Sequence, residues 1–219
     1  EFEEHPDWKI EAEVTIGEVH GGLPCVSMTF TPKKGGWYSV GYVGAPQCSE
    51  NDVEELWQAH IWSERRFPNQ SFLSESFRTT IPTTLVTSNG ITTGVVADPS
   101  YIPYGNTPPV SADSKFGVLL RNSSGKAQPM VFAPVLGNKD SRMKAGETFR
   151  FDFWLYQKKA SLMEGFKDIA CDFCEFRDLR RNSTCNLNTT IENMLDYCLS
   201  PHAMFIDSLR GCNYSTDVP

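Results

Sequence analysis

Closely spaced carboxylates are the first residues to test for chemistry, because acid–base hydrolysis of a glycoside needs two carboxyl groups roughly 5–10 Å apart. The chain offers Glu50 with Asp52 and Glu54 with Glu55. All four fall at the acidic start of a predicted helix, where the helix dipole and solvent explain them without catalysis. We therefore assign no catalytic residue.

Metal and cofactor chemistry lack a supporting pattern. The four histidines have neither HxxxH nor HxH spacing; they are His5, His20, His60 and His202. Gly35 and Gly36 are not followed by the Gly-Lys-Ser/Thr of a phosphate-binding loop, and no Gly-x-Ser-x-Gly motif occurs. The sequence predicts no bound metal and no cofactor.

The chain has seven cysteines, an odd number that fits a complete disulfide framework poorly. Cys171 and Cys174 form a CxxC, but the cysteines that follow, Cys185 and Cys198, are single and do not form the second pair of a zinc site. The CxxC also lies inside a predicted helix, not at its start as in thioredoxin-like proteins. Structural or free thiols are the favoured interpretation, with one or two disulfides or a metal site as alternatives.

Sugar binding is the chemistry that the aromatic and polar residues favour, because sugars stack their C–H faces on aromatic rings and bond their hydroxyls to polar side chains. Two candidate clusters contain Trp57, Trp62, Arg65 and Arg66, and Tyr101 and Tyr104. The competing interpretation is structural: the tryptophans pack the predicted helix onto the sheet, and the tyrosines fasten a proline-rich loop. The two arginines could equally contact a helical domain.

Length and composition allow one large domain or two small ones. The 219 residues carry a net charge of −7 and 14 phenylalanines, which suits a β-rich core. The negative charge argues against nucleic acid as a partner. No apolar run approaches the ~20 residues of a membrane span.

Alternating and turn-bounded segments up to residue 157 predict an antiparallel β-sandwich. In the first strand Ile10, Ala12, Val14 and Ile16 are expected on the buried face. Asn89-Gly90 marks a tight hairpin. A helical insertion is predicted after Ser49, because Val53, Leu56, Trp57, His60 and Ile61 recur at helical spacing.

The periodicity changes from strand to helix after residue 156. Glu147–Tyr156 alternates, with Phe149, Phe151, Phe153 and Leu155 on its one buried face. Leu162, Phe166, Ile169, Phe173 and Phe176 then share a helical face. Capping boxes predict helix starts at Ser161 and Thr189.

The order of these motifs resembles the front end of six-hairpin glycosidase-like proteins of polysaccharide-degrading bacteria. The resemblance rests on a β-sandwich followed by four segments: FRDLRRN at 176–182, LNTTIENMLDY at 187–197, NYSTDVP at 213–219, and WSERRFP at 62–68 within the sandwich. It implies a β-supersandwich domain at 1–157. It also implies that 158–219 are the helical linker that begins an (α/α)6 toroid, which would carry the catalytic carboxylates.

The resemblance implies a non-catalytic N-terminal domain of a secreted carbohydrate-active enzyme, periplasmic or extracellular, with the leader missing from this sequence. Its expected partners are an oligo- or polysaccharide and the helical domain, and a dimer through the C-terminal helices is an alternative. The other functional hypotheses are a stand-alone carbohydrate-binding module and a cell-surface adhesion or structural protein.

Overall fold

The computed structural model describes residues 5–16, 20–61, 63, 65–102, 114–176, 186–199, 205–206, 208 and 210–212. Contacts divide the chain into two units, Glu1–Phe176 and Arg177–Pro219. The helix that follows the last long strand therefore belongs with the sheets. That residues 158–219 begin a further helical domain stays a prediction.

Antiparallel strands build the first unit, which confirms the predicted mainly β class. The strands described there are β1 (Trp8–Ile16), β2 (Pro24–Pro32), β3 (Gly36–Trp37), β4 (Val40–Tyr42), β5 (Glu55–Trp57), β6 (Ser74–Glu75), β7 (Thr83–Ser88), β8 (Ile91–Ala97), β9 (Gly117–Arg121), β10 (Ala127–Ala133), β11 (Arg142–Met143) and β12 (Phe149–Lys159). One sheet has the order β1-β2-β12-β8-β7-β5 and another β4-β10-β9-β6, while β3 pairs with β11.

The hairpin between β7 and β8 forms where the sequence predicted it. Asn89 and Gly90 adopt φ angles of 53° and 68°, the left-handed conformation that a tight two-residue turn needs. Ser88 then pairs with Ile91 across the turn, and the register continues to Thr83 opposite Val96.

The two larger sheets share a hydrophobic core in a sandwich-like arrangement. Val95, Phe151 and Phe153 of the six-stranded sheet cluster with Val118 and Val131 of the four-stranded sheet, and all are at most 1% exposed. Burying a phenylalanine or valine side chain stabilises the fold by about 1.5–3 kcal/mol, so this interior holds the sheets together.

Part of the opposite face of the six-stranded sheet is also buried, contrary to the expectation of one buried face for residues 147–156. Trp154 and Tyr156 alternate with the core phenylalanines and pack beneath the helical segment that follows β12. The Trp154 ring meets Phe173 edge-on at 4.9 Å. An alternation with a period of two residues identifies the two faces of a strand. It does not reveal that a helix later in the chain covers the second face.

Helix α1 (Leu162–Asp168) continues as a π-helical turn, Ile169–Phe173. Its predicted capping box is confirmed, because the Ser161 side chain accepts the backbone N–H of Glu164 while the Glu164 side chain accepts that of Ser161. Of the predicted apolar face, Leu162, Ile169 and Phe173 are buried, but Phe176 is 48% exposed.

The predicted helical insertion is wrong. The chain forms a short 3-10 turn at Glu50–Asp52 and then strand β5. Leu56 pairs with Val86 and enters the core between the sheets, while Trp57 pairs with Leu85 on the opposite face. The spacing of Leu56 and Trp57 fits a helix, but pairing with β7 buries both faces of this segment.

Strand β1 exists as predicted, but its expected buried face is wrong beyond Ile10. Among the described strands it pairs only with β2, at the edge of the sheet. Ile10 packs against the core, whereas Val14 and Ile16 are 62% and 78% exposed.

The second unit contains α2 (Leu187–Leu199) and the short pair β13 (Phe205–Ile206) and β14 (Gly211–Cys212). The helix is capped three residues before the predicted capping residue, Thr189, so that prediction is wrong in position. Asn186 accepts the Thr189 backbone N–H at 2.9 Å, so asparagine provides the N-terminal cap. In the part of the chain that the structure describes, no helix is long and apolar enough to span a membrane.

Candidate functional site

The segment 58–72, which follows β5, surrounds an open cavity of about 470 Å³ that we call the loop cavity. Polar side chains supply much of its lining: His60, Ser63, Arg66, Asn69 and Gln70. Its apolar lining comes from Ile61, Pro68 and Phe72. The cavity therefore combines hydrogen-bonding groups with apolar wall, the mixture that orients a small polar ligand.

Buried Gln58 ties the two ends of this segment together. Its Nε2 donates to the carbonyl of Phe72 at 2.9 Å and to Ser74 Oγ at 3.0 Å. Ser74 Oγ in turn donates to the Ala59 carbonyl at 2.8 Å. These bonds join residues 58–59 to 72–74 and close the base of the loop.

Arg121 fastens the second half of the loop from strand β9. Its Nη1 donates to the Pro68 carbonyl at 3.0 Å, and its guanidinium lies 4.9 Å from the centre of the Phe67 ring. Ser71 Oγ donates to the Arg121 carbonyl at 2.6 Å. The segment that carries Asn69 and Gln70 is thus held on both sides.

His60 occupies a sharp turn in the lining of the loop cavity. Its φ angle is 73°, which is uncommon for a residue with a side chain. The turn is closed by a hydrogen bond from the Ile61 N–H to the Gln58 carbonyl at 3.0 Å. Because Gln58 is anchored, the backbone conformation that exposes His60 is fixed by the core.

A smaller cleft of about 200 Å³, which we call the helix cleft, lies between β5 and α1. It shares Ile61 and Ser63 with the loop cavity. The Trp57 ring lines it and meets Phe166 edge-on at 4.8 Å. The buried Trp57 Nε1 has no hydrogen-bond partner among the described residues, and such a donor is costly unless a ligand or water satisfies it.

The first predicted sugar-binding cluster is only partly assembled in the described structure. Trp57 lines the helix cleft and Arg66 lines the loop cavity. Arg65 is exposed but lines neither space. Trp62 lies outside the described residues. Trp57 packs its strand against α1, whereas the structural interpretation placed it on a helix that packs onto the sheet.

The second predicted cluster contains one described residue, Tyr101, since Tyr104 lies outside the described part. The Tyr101 ring stacks on Phe151 at 5.4 Å with an interplanar angle of 22°. Burial raises the pKa of Tyr101, and the Asp152 and Asp98 carboxylates add to the effect. These contacts fit the fastening role, and they place Tyr101 on the core between the sheets.

The closely spaced carboxylates have structural partners. Glu54 accepts the Gly90 backbone N–H at 3.1 Å, and Glu55 accepts that of Leu162 at 2.8 Å. Asp52 accepts the Ser49 hydroxyl. Their predicted place at a helix start is wrong for Glu54, which lies in the connection before β5, and for Glu55, which lies on β5 and accepts a bond from the N-terminus of α1.

A further polar cluster, which the sequence did not indicate, joins β12 to α1 through Asp168. Tyr156 Oη and Lys158 Nζ each donate to Asp168 Oδ2 at 2.8 Å. Burial alone would raise the pKa of Asp168, but the bonds from Lys158 and Tyr156 outweigh it and hold the pKa below its usual range. Burial, helped by Asp168, raises the pKa of Tyr156.

Five cysteines in the described part of the chain are free thiols: Cys25, Cys48, Cys171, Cys174 and Cys198. Burial raises the pKa of Cys174 to about 11, which opposes the low-pKa thiolate that redox chemistry uses. Among the described residues, no group of three His, Cys, Asp or Glu side chains could hold a metal ion.

Sequence reasoning missed His60, Asn69 and Gln70 as lining residues of the loop cavity. Asn69 and Gln70 belong to a segment without strand or helix periodicity, whereas the helical spacing of His60 predicted a helix and not a loop. The three residues come together through the tethers made by Gln58 and Arg121. The available signal was compositional: residues 68–71 read Pro-Asn-Gln-Ser, a run typical of an exposed loop.

Comparisons with known proteins identify no relative. No protein-family model matches the chain, and neither a curated protein nor a solved structure matches it. The similarity to six-hairpin glycosidase-like proteins therefore stays a prediction from the sequence.

Proposed function

We propose that this chain is a non-catalytic β domain that contacts glycan through the loop cavity. The observation that carries the proposal is the convergence of Arg66, His60, Asn69 and Gln70 on one open space with apolar walls. Guanidinium and carboxamide groups donate and accept the hydrogen bonds that sugar hydroxyls make. Ile61 and Phe72 provide apolar surface for the C–H face of the ring.

The helix cleft extends this surface toward α1. The rings of Trp57 and Phe166, which meet edge-on at 4.8 Å, give the cleft an aromatic wall for the C–H face of a sugar. Shared lining by Ile61 and Ser63 makes the two spaces neighbours. The proposed ligand is therefore an oligosaccharide or polysaccharide segment.

The wider setting of the proposal is a secreted carbohydrate-active enzyme of the six-hairpin glycosidase type, acting in the periplasm or outside the cell. The two sheets would form its N-terminal supersandwich, and residues 158–219 would lead into the catalytic helical domain. Two observations favour a non-catalytic, supporting role for this domain. It has a sandwich-like core, and the carboxylates of Glu54 and Glu55 accept hydrogen bonds from backbone N–H groups of the fold.

Calorimetric titration with a panel of neutral oligosaccharides tests the glycan contact. Arg66→Ala should weaken binding by about 10- to 100-fold, since a hydrogen bond from a charged group contributes about 1.5–3 kcal/mol. Arg65→Ala is the matched control, because Arg65 is exposed but does not line the cavity. Equal losses in the two variants, or no binding by the wild type, would overturn the proposal.

Measuring glycan affinity with a longer chain that carries the predicted helical domain distinguishes two hypotheses: a supporting domain and a stand-alone binding module. A supporting domain should bind glycan more tightly when the helical domain is present, because the ligand then contacts both. Equal affinity with and without that domain would favour the stand-alone carbohydrate-binding module.

A further inference from the structure

A second open basin, of about 730 Å³, surrounds the exposed indole of Trp37. We call it the Trp37 basin, and its lining also includes Arg142 and Lys144. It is built on the β3–β11 ladder rather than on the segment 58–72. Trp37 is 55% exposed, which is unusual for so large an apolar side chain on a strand.

The strand register places Trp37 and Arg142 side by side. They are directly opposite each other in the β3–β11 pair, and opposite residues of an antiparallel pair project from the same face. The next pair is Gly36 with Met143, and Met143 is 4% exposed in the core. The ladder therefore buries one side and presents the indole and the guanidinium on the other.

The platform beneath the basin is held in place by the core. Tyr38 follows Trp37, packs against Phe30 at 5.1 Å, and donates its hydroxyl to the Lys34 carbonyl at 2.8 Å. The Tyr38 N–H donates to the Ser141 carbonyl at 2.8 Å, which ties β3 to the start of β11. A ligand would thus meet a surface that is already ordered.

The charges of the basin differ from those of the chain as a whole. Within the described residues, Arg142 and Lys144 make no ion pair, and no carboxylate lines the basin. Glu147 is close in sequence, but its carboxylate accepts the Lys144 backbone N–H at 2.8 Å. Neighbouring Lys34 pairs with Asp7 at 2.6 Å. Two unpaired cations on a chain of net charge −7 mark a place that favours an anion.

We propose that the Trp37 basin is a binding subsite for an acidic saccharide, a sugar ring that carries a carboxylate. The indole stacks on the C–H face of the ring, and the Arg142 guanidinium bonds the carboxylate through two parallel N–H donors. Lys144 adds a second positive charge on the same side. The proposal rests on the proposed glycan-binding function and adds a second site with its own specificity.

The test is calorimetric titration of the full 219-residue chain with trigalacturonate and with its methyl ester, which differ in the charge of the carboxyl groups. The acid should bind at least about 10-fold more tightly than the ester at low salt, and less so at high salt because ions screen the exposed charges. Arg142→Gln should remove that preference, and Trp37→Ala should weaken both ligands. Both side chains are exposed, so circular dichroism should show unchanged folding.

Arg66→Ala and a short polyglutamate peptide complete the experiment. Arg66→Ala should weaken the neutral sugars but retain the preference for the acid over the ester, so the two proposals fail separately. Equal affinity for acid and ester, or an Arg142→Gln variant that still prefers the acid, would overturn the acidic-saccharide subsite. So would polyglutamate binding as tight as trigalacturonate, since the basin would then recognise charge alone.

Discussion

The carboxylate of Glu55 accepts a hydrogen bond from the backbone N–H of Leu162, which lies 107 residues later in the chain, at 2.8 Å. Leu162 is the first residue of α1, where N–H groups have no partner within the helix. The contact therefore joins the strand that precedes the loop cavity to the helix that walls the helix cleft, and a negative side chain at this end also suits the helix dipole.

Removing this contact should destabilise the protein and loosen the helix cleft. We expect Glu55→Ala to lower the free energy of unfolding by about 1–2 kcal/mol, and Glu55→Gln by less, because glutamine keeps an acceptor but loses the charge. Urea unfolding followed by circular dichroism measures the difference. Glu13→Gln, on the exposed part of β1, is the control and should be nearly neutral. An Ala variant as stable as that control would show that the contact contributes nothing.

Asp168 should make stability depend on pH in the acidic range. Its pKa is lower in the folded state than in the unfolded chain, so its ionised form stabilises the fold above the unfolded value of about 4. That contribution is lost as the pH falls through the folded pKa. The stability difference between wild type and Asp168→Asn should therefore be present at pH 7 and shrink below about pH 4.

Chemical unfolding of both proteins at several pH values measures this dependence. Glu13→Gln, which also removes one negative charge but from an exposed position on β1, controls for the change in net charge. A difference that stays constant from pH 7 to pH 2 would contradict the assigned role of Asp168.

Local signals in the sequence identified the elements whose structure is determined by nearby residues. The Asn89-Gly90 hairpin needs only its own turn chemistry, and the Ser161 capping box needs only four consecutive residues. The alternation that places Phe151 and Phe153 in the core is equally local. These features were predicted correctly because no distant partner decides them.

Distant partners decided the features that the sequence did not predict. Leu56 and Trp57 fit a helix by spacing, but β7 pairs with them from 30 residues away. The Trp154 face of β12 is buried because α1 returns over the sheet. The loop cavity depends on the Gln58 and Arg121 tethers, which join segments with no common period.

Close approach of α1 to the sheet should make Gly165 difficult to replace. A Cβ atom there would lie 3.0 Å from Thr92 Cγ2 and 3.1 Å from the Tyr156 ring. Alanine favours the helix by about 1 kcal/mol, but overpacking costs about 1–3 kcal/mol, so Gly165→Ala should be net destabilising. Thr92→Ser in the same chain should recover part of the loss, because serine keeps the hydroxyl but lacks the methyl group.

Thermal unfolding of the single and double variants measures that recovery. The hydroxyl must remain, since Thr92 Oγ1 donates to the Ala160 carbonyl at 2.8 Å. Met163→Ala, on the exposed side of α1, provides the control for a helix substitution. A higher stability for Gly165→Ala would contradict the prediction, because it would mean that the helix can shift away from the sheet at little cost in free energy.

The thiol of Cys174 should react slowly although a second cysteine lies three residues before it. Burial raises its pKa to about 11, so its thiolate fraction at pH 8 is about 100-fold smaller than that of an ordinary cysteine. Iodoacetamide labelling followed by mass spectrometry should therefore modify exposed Cys198 well before Cys174. In urea the two rates should become similar. Rapid labelling of folded Cys174, or ready formation of a Cys171–Cys174 disulfide, would instead identify a reactive pair at the π-helical turn.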